Sequence, residues 1–187
     1  MIKDIVVNLS LSGPRDHAAE FAVSAAVTLD AHLAGLAFTF EPFMPAFEIA
    51  PVPADLIEMQ REENERLSAI AVDRFNELAR RNGVSAESRN IEAGSPAAPD
   101  TFARIARRFD LSIVSQPRPD SSGSDEIFVE AALFGSGRPV LIVPYIQTAG
   151  LKLERVMVCW DFSRAAARAT ADALPLLAKA GTTEVVR

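Results

Sequence analysis

The sequence predicts an α/β protein built on an open parallel five-stranded sheet with helices on both faces, followed by the start of a second copy of the same pattern. Three observations carry this expectation. Short apolar runs recur at 5–9, 33–40, 111–114 and 140–143, with a weaker strand near 84–92, and brief apolar runs bounded by turn residues read as buried strands. Between them lie segments with apolar residues at helical spacing, long enough for the crossovers that parallel strands require. The pattern then begins again: Arg155-Val156-Met157-Val158-Cys159-Trp160-Asp161 has the logic of residues 4–10.

Taken in order, Ile5-Val6-Val7-Asn8-Leu9 forms the first strand and Ser12-Gly13-Pro14 punctuates it. A helix follows with Ala18, Phe21, Ala22, Ala25 and Leu29 on one face. After the second strand, a long helix is expected over 55–82, with Leu67, Ala71, Phe75 and Leu78 inward. Glu62 with Arg66 and Glu77 with Arg81 stand at i,i+4 on its solvent side, and Gly83 suits its C-terminal cap. Gly94-Ser95-Pro96 leads from the third strand into a helix striped by Phe102, Ile105, Ala106 and Phe109. A polar loop, 116–123, follows the fourth strand. Ser124 can cap the next helix, which carries Ile127, Phe128, Ala131, Ala132 and Leu133. Residues 1–144 are thus expected as one domain, 145–153 as a linker and 154–187 as the first β-α-β of a second, incomplete repeat. A lone β-α-β cannot bury both faces of its sheet. The tail is therefore expected either to belong to a longer two-repeat protein or to dock on another chain.

Composition narrows the function. The 187 residues carry a net charge of −6, with 49% hydrophobic and 24% charged residues. An acidic chain without a long Lys/Arg run argues against nucleic acid or an anionic membrane as main partner. No apolar run reaches the ~20 residues that span a bilayer, and Met1-Ile2-Lys3-Asp4 lacks the basic flank of a signal peptide, so the expected compartment is the cytoplasm. One cysteine excludes an intrachain disulfide, and two histidines exclude a histidine-rich metal site. Only nine glycines are present, which limits phosphate-cradling loops, where glycine permits close backbone approach.

These residues resemble the universal stress protein family. The matching features are the opening strand, the Gly94-Ser95-Pro96 turn, the strand Asp110-Leu-Ser-Ile-Val114, and the stretch from Val129-Glu130 through Leu133 to Pro139-Val-Leu-Ile-Val-Pro144. The resemblance covers residues 1–144, with 154–187 as the beginning of a second copy, the tandem type with its second repeat truncated. It implies a Rossmann-like sheet of the adenine nucleotide alpha hydrolase kind, of order 3-2-1-4-5. It also implies a role in stress survival, dimerisation or an internal pseudo-dimer through the fifth strand, and ATP or AMP bound in some members. The family's nucleotide site uses an acid ending the first strand and a Gly-x-x-Gly-(x9)-Gly-Ser/Thr loop after the fourth. In the first repeat the acid's place is Ser10. The first two glycines fall on Ser115 and Arg118, and the third glycine with its hydroxyl partner falls on Glu126 and Ile127. These are degenerate positions, and Glu126 would set a carboxylate where phosphates lie. No cofactor is expected in repeat one. In the second repeat, Asp161-Phe162-Ser163 matches the family's Asp-x-Ser, so ATP or AMP there would be held by Asp161 and Ser163, with the glycine loop lying past Arg187. The alternative is that Asp161 only caps the following helix, and one carboxylate can serve both roles.

The remaining constellations have plainer readings. Residues 38–53, rich in proline and phenylalanine, suit either a lid over the crevice or a loop folded onto its own domain. Arg104, Arg107 and Arg108 face away from the phenylalanine stripe, as a solvated face or an anion site. His17 in a first helical turn and His32 before a strand have no nucleophile context beside them, and Cys159 reads as an inert buried thiol. The leading expectation is a non-enzymatic regulatory or stress-response protein whose first repeat is a nucleotide-free partner. The alternatives are a small-molecule module using the lid with Ser10 and Ser115, and an adenine-nucleotide enzyme using Asp161. The apolar edge strand, Val140 to Val143, is the expected surface for self-association.

Overall fold

A computed structural model describes residues 1–11, 13–41, 53–94, 97–118 and 124–187. The first part of the chain alternates strand and helix: β1 (Asp4–Asn8), α1 (His17–Leu29), β2 (His32–Glu41), α2 (Ala54–Arg81), β3 (Ala86–Gly94), α3 (Ala98–Ala106), β4 (Leu111–Ser115), α4 (Ser124–Gly135) and β5 (Val140–Val143). All five strands are parallel, in the order β3-β2-β1-β4-β5. The predicted fold class and strand order hold.

Alternation along the central strand builds two cores. Ile5 and Val7 of β1 face the layer of α1 and α2, where they meet Leu33, Leu111, Ile113 and Phe75. Val6, between them, faces α3 and α4 with Ala34, Leu36 and Val114. Phe38, Phe102 and Phe128 close that second core, their ring centroids 5.2–6.3 Å apart in tilted and edge-on contacts. The long helix α2 packs by Ser68, Ala71, Phe75 and Ala79, so its buried stripe runs beside the one predicted and leaves Leu67 and Leu78 at its margins. Gly35 of β2 is small for a packing reason: a Cβ there would stand 2.8 Å from the Phe75 ring. At the far end of α2, Gly83 takes φ +66°, the left-handed step that ends a helix.

Several local expectations shift. Arg66 forks onto Glu63 at 2.6 and 2.7 Å rather than onto Glu62, since an i,i+3 neighbour lies as close on a helix as an i,i+4 one; the Arg81–Glu77 pair forms as expected. The strand β3 begins at Ala86 and runs on to Gly94. Of the proline- and phenylalanine-rich stretch 38–53, residues 42–52 lie outside the described residues, as do Ser12, Ser95, Pro96 and 119–123.

The last third forms β6 (Arg155–Cys159), α5 (Arg164–Leu177) and β7 (Thr182–Val186), with β6 and β7 paired in parallel as a separate two-stranded sheet. This unit is fastened to α1. The Leu151 amide donates to Ser24 Oγ at 3.0 Å, Leu151 and Leu176 pack against the α1/α2 core, and a Cβ on Gly150 would collide with the Ser24 side chain. None of α5 is buried and every residue of β7 is exposed. Cys159 is exposed as well, against the expectation of a buried thiol. An apolar strand is buried on both faces only inside a sheet covered on both sides, and β6 has one neighbour and one helix.

Candidate functional site

In an open parallel sheet, ligands bind beyond the carboxyl ends of the strands where the strand order reverses, here between β1 and β4. Ser10 and Ser115 lie at that edge, both half-buried, three and two residues past the paired Val7 and Ile113. The loop after β1 is closed by its own chain. Asp16 is only 4% exposed; its carboxylate caps α1 by accepting from the Ala19 amide at 3.0 Å, and its second oxygen accepts from the Ser10 amide at 2.7 Å. From α2, the Arg74 guanidinium donates to the Ser10 carbonyl at 2.9 Å and the Gly13 carbonyl at 3.0 Å. Backbone groups that could have met a ligand are thus engaged from within. Burial pushes the Asp16 carboxyl above the usual range, against the Ala19 and Ser10 amides and the Arg74 charge. A small cavity of about 180 Å³ lies behind this loop, between α1 and α2, floored by Ala71 and Phe75.

The fourth-strand side is acidic. The Gln116 amide is taken by the Val143 carbonyl at 2.8 Å. Arg118 is exposed and its charge acts on Asp125, whose carboxyl is pushed up by burial and drawn down by Arg118. Asp125 and Glu126 both stand in the first turn of α4. Carboxylates there already meet the positive helix end, and an incoming phosphate would face them at a cost of about 1 kcal/mol per charge at 4 Å even in water. Glu126 and Ile127 are exposed residues within α4, not members of the loop before it. Nine residues counted on from Arg118 end at Ile127, so that spacing points to Phe128 and Val129, which also lie within α4; in sequence a Gly-Ser pair stands earlier, at Gly123-Ser124, and Gly123 lies outside the described residues.

The second unit presents a different strand end. The chain leaves β6 through Trp160 and Asp161, turns at Phe162 with φ +64°, and enters α5 at Ser163. Ser163 is the helix cap, accepting from the Ala166 amide at 3.0 Å. Asp161 accepts from the Ser163 amide at 2.9 Å, so it braces the turn before the cap instead of capping the helix itself. The Ser163 hydroxyl, and after it the amide, hold the exposed Asp161 carboxyl below the usual range. Beside it opens a groove of about 550 Å³ lined by Cys159, Trp160, Asp161, Ser163, Ala166 and Val186. The alanines of α5 leave room there, Trp160 and Phe162 meet edge to face at 6.0 Å, and the Arg187 guanidinium sits 4.7 Å over the Phe162 ring.

The structure thus brings Ser10 and Ser115 to one sheet edge and sets Asp161 with Ser163 at another. His32, at the opposite end of the sheet, has Nδ1 3.2 Å from Ser85 Oγ. His17 opens α1 with Nδ1 buried and without a hydrogen bond among the described residues. Sequence reasoning missed Asp16 and Arg74. An aspartate directly before the first apolar-periodic residues, with an acid in the first turn, could have found Asp16 as a cap, whereas nothing local connects Arg74 to Ser10.

No family model matches the chain, and no curated protein matches it significantly. Solved structures do. A universal stress protein family member from Burkholderia pseudomallei shares 23% identity over 76% of this chain and 96% of its own, with a TM-score of 0.53. One from Arabidopsis thaliana, solved with AMP bound, shares 17% over 76% of this chain and 91% of its own at 0.51. One from Archaeoglobus fulgidus covers 97% of this chain at 16% identity and a TM-score of 0.66, and this chain spans 64% of it. The likeness is one of fold: an open parallel α/β sheet of order 3-2-1-4-5, as in the universal stress proteins.

Proposed function

We propose that this chain is a universal stress protein-type regulatory module in which residues 1–144 form a nucleotide-free unit and the strand end at Asp161 carries the ligand. The observation that carries this reading is the contrast between the two strand ends. Beyond β1, Asp16 and Arg74 engage the amide of Ser10 and the carbonyls of Ser10 and Gly13. Beyond β6, a carboxylate favoured in its charged form stands exposed beside a groove. A carboxylate of that kind suits the hydroxyls of a ribose, and the start of α5 suits an anion. AMP in the Arabidopsis neighbour makes an adenine nucleotide the ligand to try first.

The unit 1–144 would serve as a structural partner, joined to 154–187 by the linker 145–153, and would associate with a second copy through β5. That strand is a sheet edge, Ile142 on it is 37% exposed, and Ile127, Leu133 and Ile146 are exposed nearby in the chain. An uncovered apolar edge favours pairing. Calorimetry with AMP and ATP on the whole chain tests the reading. Binding abolished by Asp161→Ala and unaffected by Ser115→Ala supports it. Binding that survives Asp161→Ala and is lost in Ser115→Ala places the ligand in the first unit and refutes it.

A further inference from the structure

With a ribose at Asp161 and a phosphate at the start of α5, the base of a bound nucleotide still lacks a partner. Trp160, the one tryptophan of the chain, is half-buried and lines the same groove as Asp161. Its amide donates to the Val186 carbonyl at 2.8 Å, which ties the end of β6 to β7. Its indole is braced by Phe162, with ring centroids 6.0 Å apart and the planes at 75°. Phe162 reaches that position at φ +64°, a left-handed conformation that a phenylalanine rarely adopts. Burial does not explain it, because Phe162 is 66% exposed. What the conformation secures is the edge-on contact with Trp160 and the Arg187 guanidinium 4.7 Å over the Phe162 ring. Strained backbone of this kind gathers at ligand sites, where it fixes the geometry of a binding group.

The groove, at about 550 Å³, falls within the range of small-molecule sites, ~300–1,000 Å³. Its apolar lining comes from Trp160, Val186 and the alanines of α5, and its charged and hydroxyl side chains are Asp161, Ser163 and Arg187. Each of these three is already engaged. Asp161 accepts from the Ser163 amide, Ser163 Oγ accepts from the Ala166 amide, and Arg187 lies over Phe162. The edge of adenine is read by a paired donor and acceptor such as an asparagine or glutamine amide, and among the described residues no such side chain lines the groove. A planar base can still be held by its face. An edge-to-face contact covers at most one face of the indole, and an aromatic face stacks any base with little regard to its edge. The two fused rings of a purine cover more of an indole than the single ring of a pyrimidine.

We infer that Trp160 stacks the base, and that the groove takes purine ribonucleotides without distinguishing adenine from guanine; this rests on the nucleotide site proposed at Asp161. The test titrates AMP, GMP, UMP and ribose 5-phosphate into the whole chain, read by tryptophan emission and by calorimetry. AMP and GMP should both change the Trp160 emission, with dissociation constants within about twofold of each other. UMP should bind about threefold more weakly, and ribose 5-phosphate, which has no base, about tenfold more weakly. In calorimetry Trp160→Ala should weaken AMP about tenfold and leave ribose 5-phosphate unchanged, while Trp160→Phe keeps AMP within about threefold of wild type. Equal weakening of AMP and ribose 5-phosphate by Trp160→Ala, with an unchanged circular dichroism spectrum, would mean that Trp160 only shapes the groove, and overturns the inference. Where Trp160→Ala does not fold, Trp160→Phe and the wild-type ligand series decide. AMP binding that Asp161→Ala abolishes, but with unchanged Trp160 emission or with a preference over GMP of about tenfold or more, overturns this inference and leaves the Asp161 site standing. Absence of binding by all of these ligands overturns both.

Discussion

Replacing Arg74 by alanine should loosen the loop that closes the first strand end. Two hydrogen bonds from a charged donor are lost, one to the half-buried Ser10 carbonyl at 2.9 Å and one to the exposed Gly13 carbonyl at 3.0 Å. A charged hydrogen bond in a partly buried setting contributes about 1.5 kcal/mol, and an exposed one about 0.5 kcal/mol, so the expected loss is about 2 kcal/mol. With a urea m-value of roughly 2 kcal/mol/M for a chain of this size, the unfolding midpoint should fall by about 1 M. Arg74→Lys keeps the charge but cannot span both carbonyls, so about half the loss should remain. Arg61→Ala provides the comparison: its pair with Glu65 is more than half exposed on both sides, so its removal should leave the midpoint nearly unchanged. Urea melts followed by circular dichroism measure all three. An Arg74→Ala midpoint within experimental error of the Arg61→Ala midpoint would refute the claim that Arg74 holds the loop.

Other perturbations follow from the same geometry. Asp16 has its carboxyl raised by burial, so the folded state binds its proton more tightly than the unfolded chain does. Its contribution to stability is full below the unfolded value near 3.8 and declines as pH rises through the folded one. The stability difference between wild type and Asp16→Asn should therefore shrink with rising pH over that window; a constant difference contradicts it. Gly35→Ala would press a methyl into the Phe75 ring and should cost about 1–3 kcal/mol, with partial recovery in Gly35→Ala/Phe75→Leu; a neutral single variant would show that α2 moves freely. Cys159 is exposed and should react with a thiol reagent in the native protein at close to its unfolded rate. Protection would mean that β6 is covered in solution. Light scattering at ~100 µM, well above common specific-complex dissociation constants, should report a dimer that Ile142→Lys disrupts, and a monodisperse monomer would remove the β5 interface.

Much of the fold was legible because its cues are local. The apolar strands, the stripe of α3 and the left-handed stop at Gly83 depend on neighbours within one or two turns of chain. Gly35 was not legible, because what makes it small is Phe75, forty residues on. The site divided the same way. Ser115 could be placed at a strand end from the run Leu111–Ser115 alone, and the Asp161-Phe162-Ser163 turn was readable from its residue types. Arg74 was invisible, since its partners Ser10 and Gly13 are distant in sequence and meet it only once α1 and α2 pack. A motif count along the sequence cannot tell where a helix begins, and α4 begins at Ser124, which puts Glu126 in its first turn. Cys159 is exposed although its strand is apolar, because strand composition says what could be covered and tertiary contacts decide whether it is.

The proposed site for an adenine nucleotide lies beside Asp161 and not beyond β1 and β4. Amide hydrogen exchange read by mass spectrometry, with and without saturating AMP, tests it most directly because it maps the bound region without a variant. Slowed exchange is expected in peptides covering 159–166, around the Ser163 and Ala166 amides, with no change in peptides covering 9–16 or 115–127. Protection of 9–16 or 115–127 with 159–166 unchanged would contradict it.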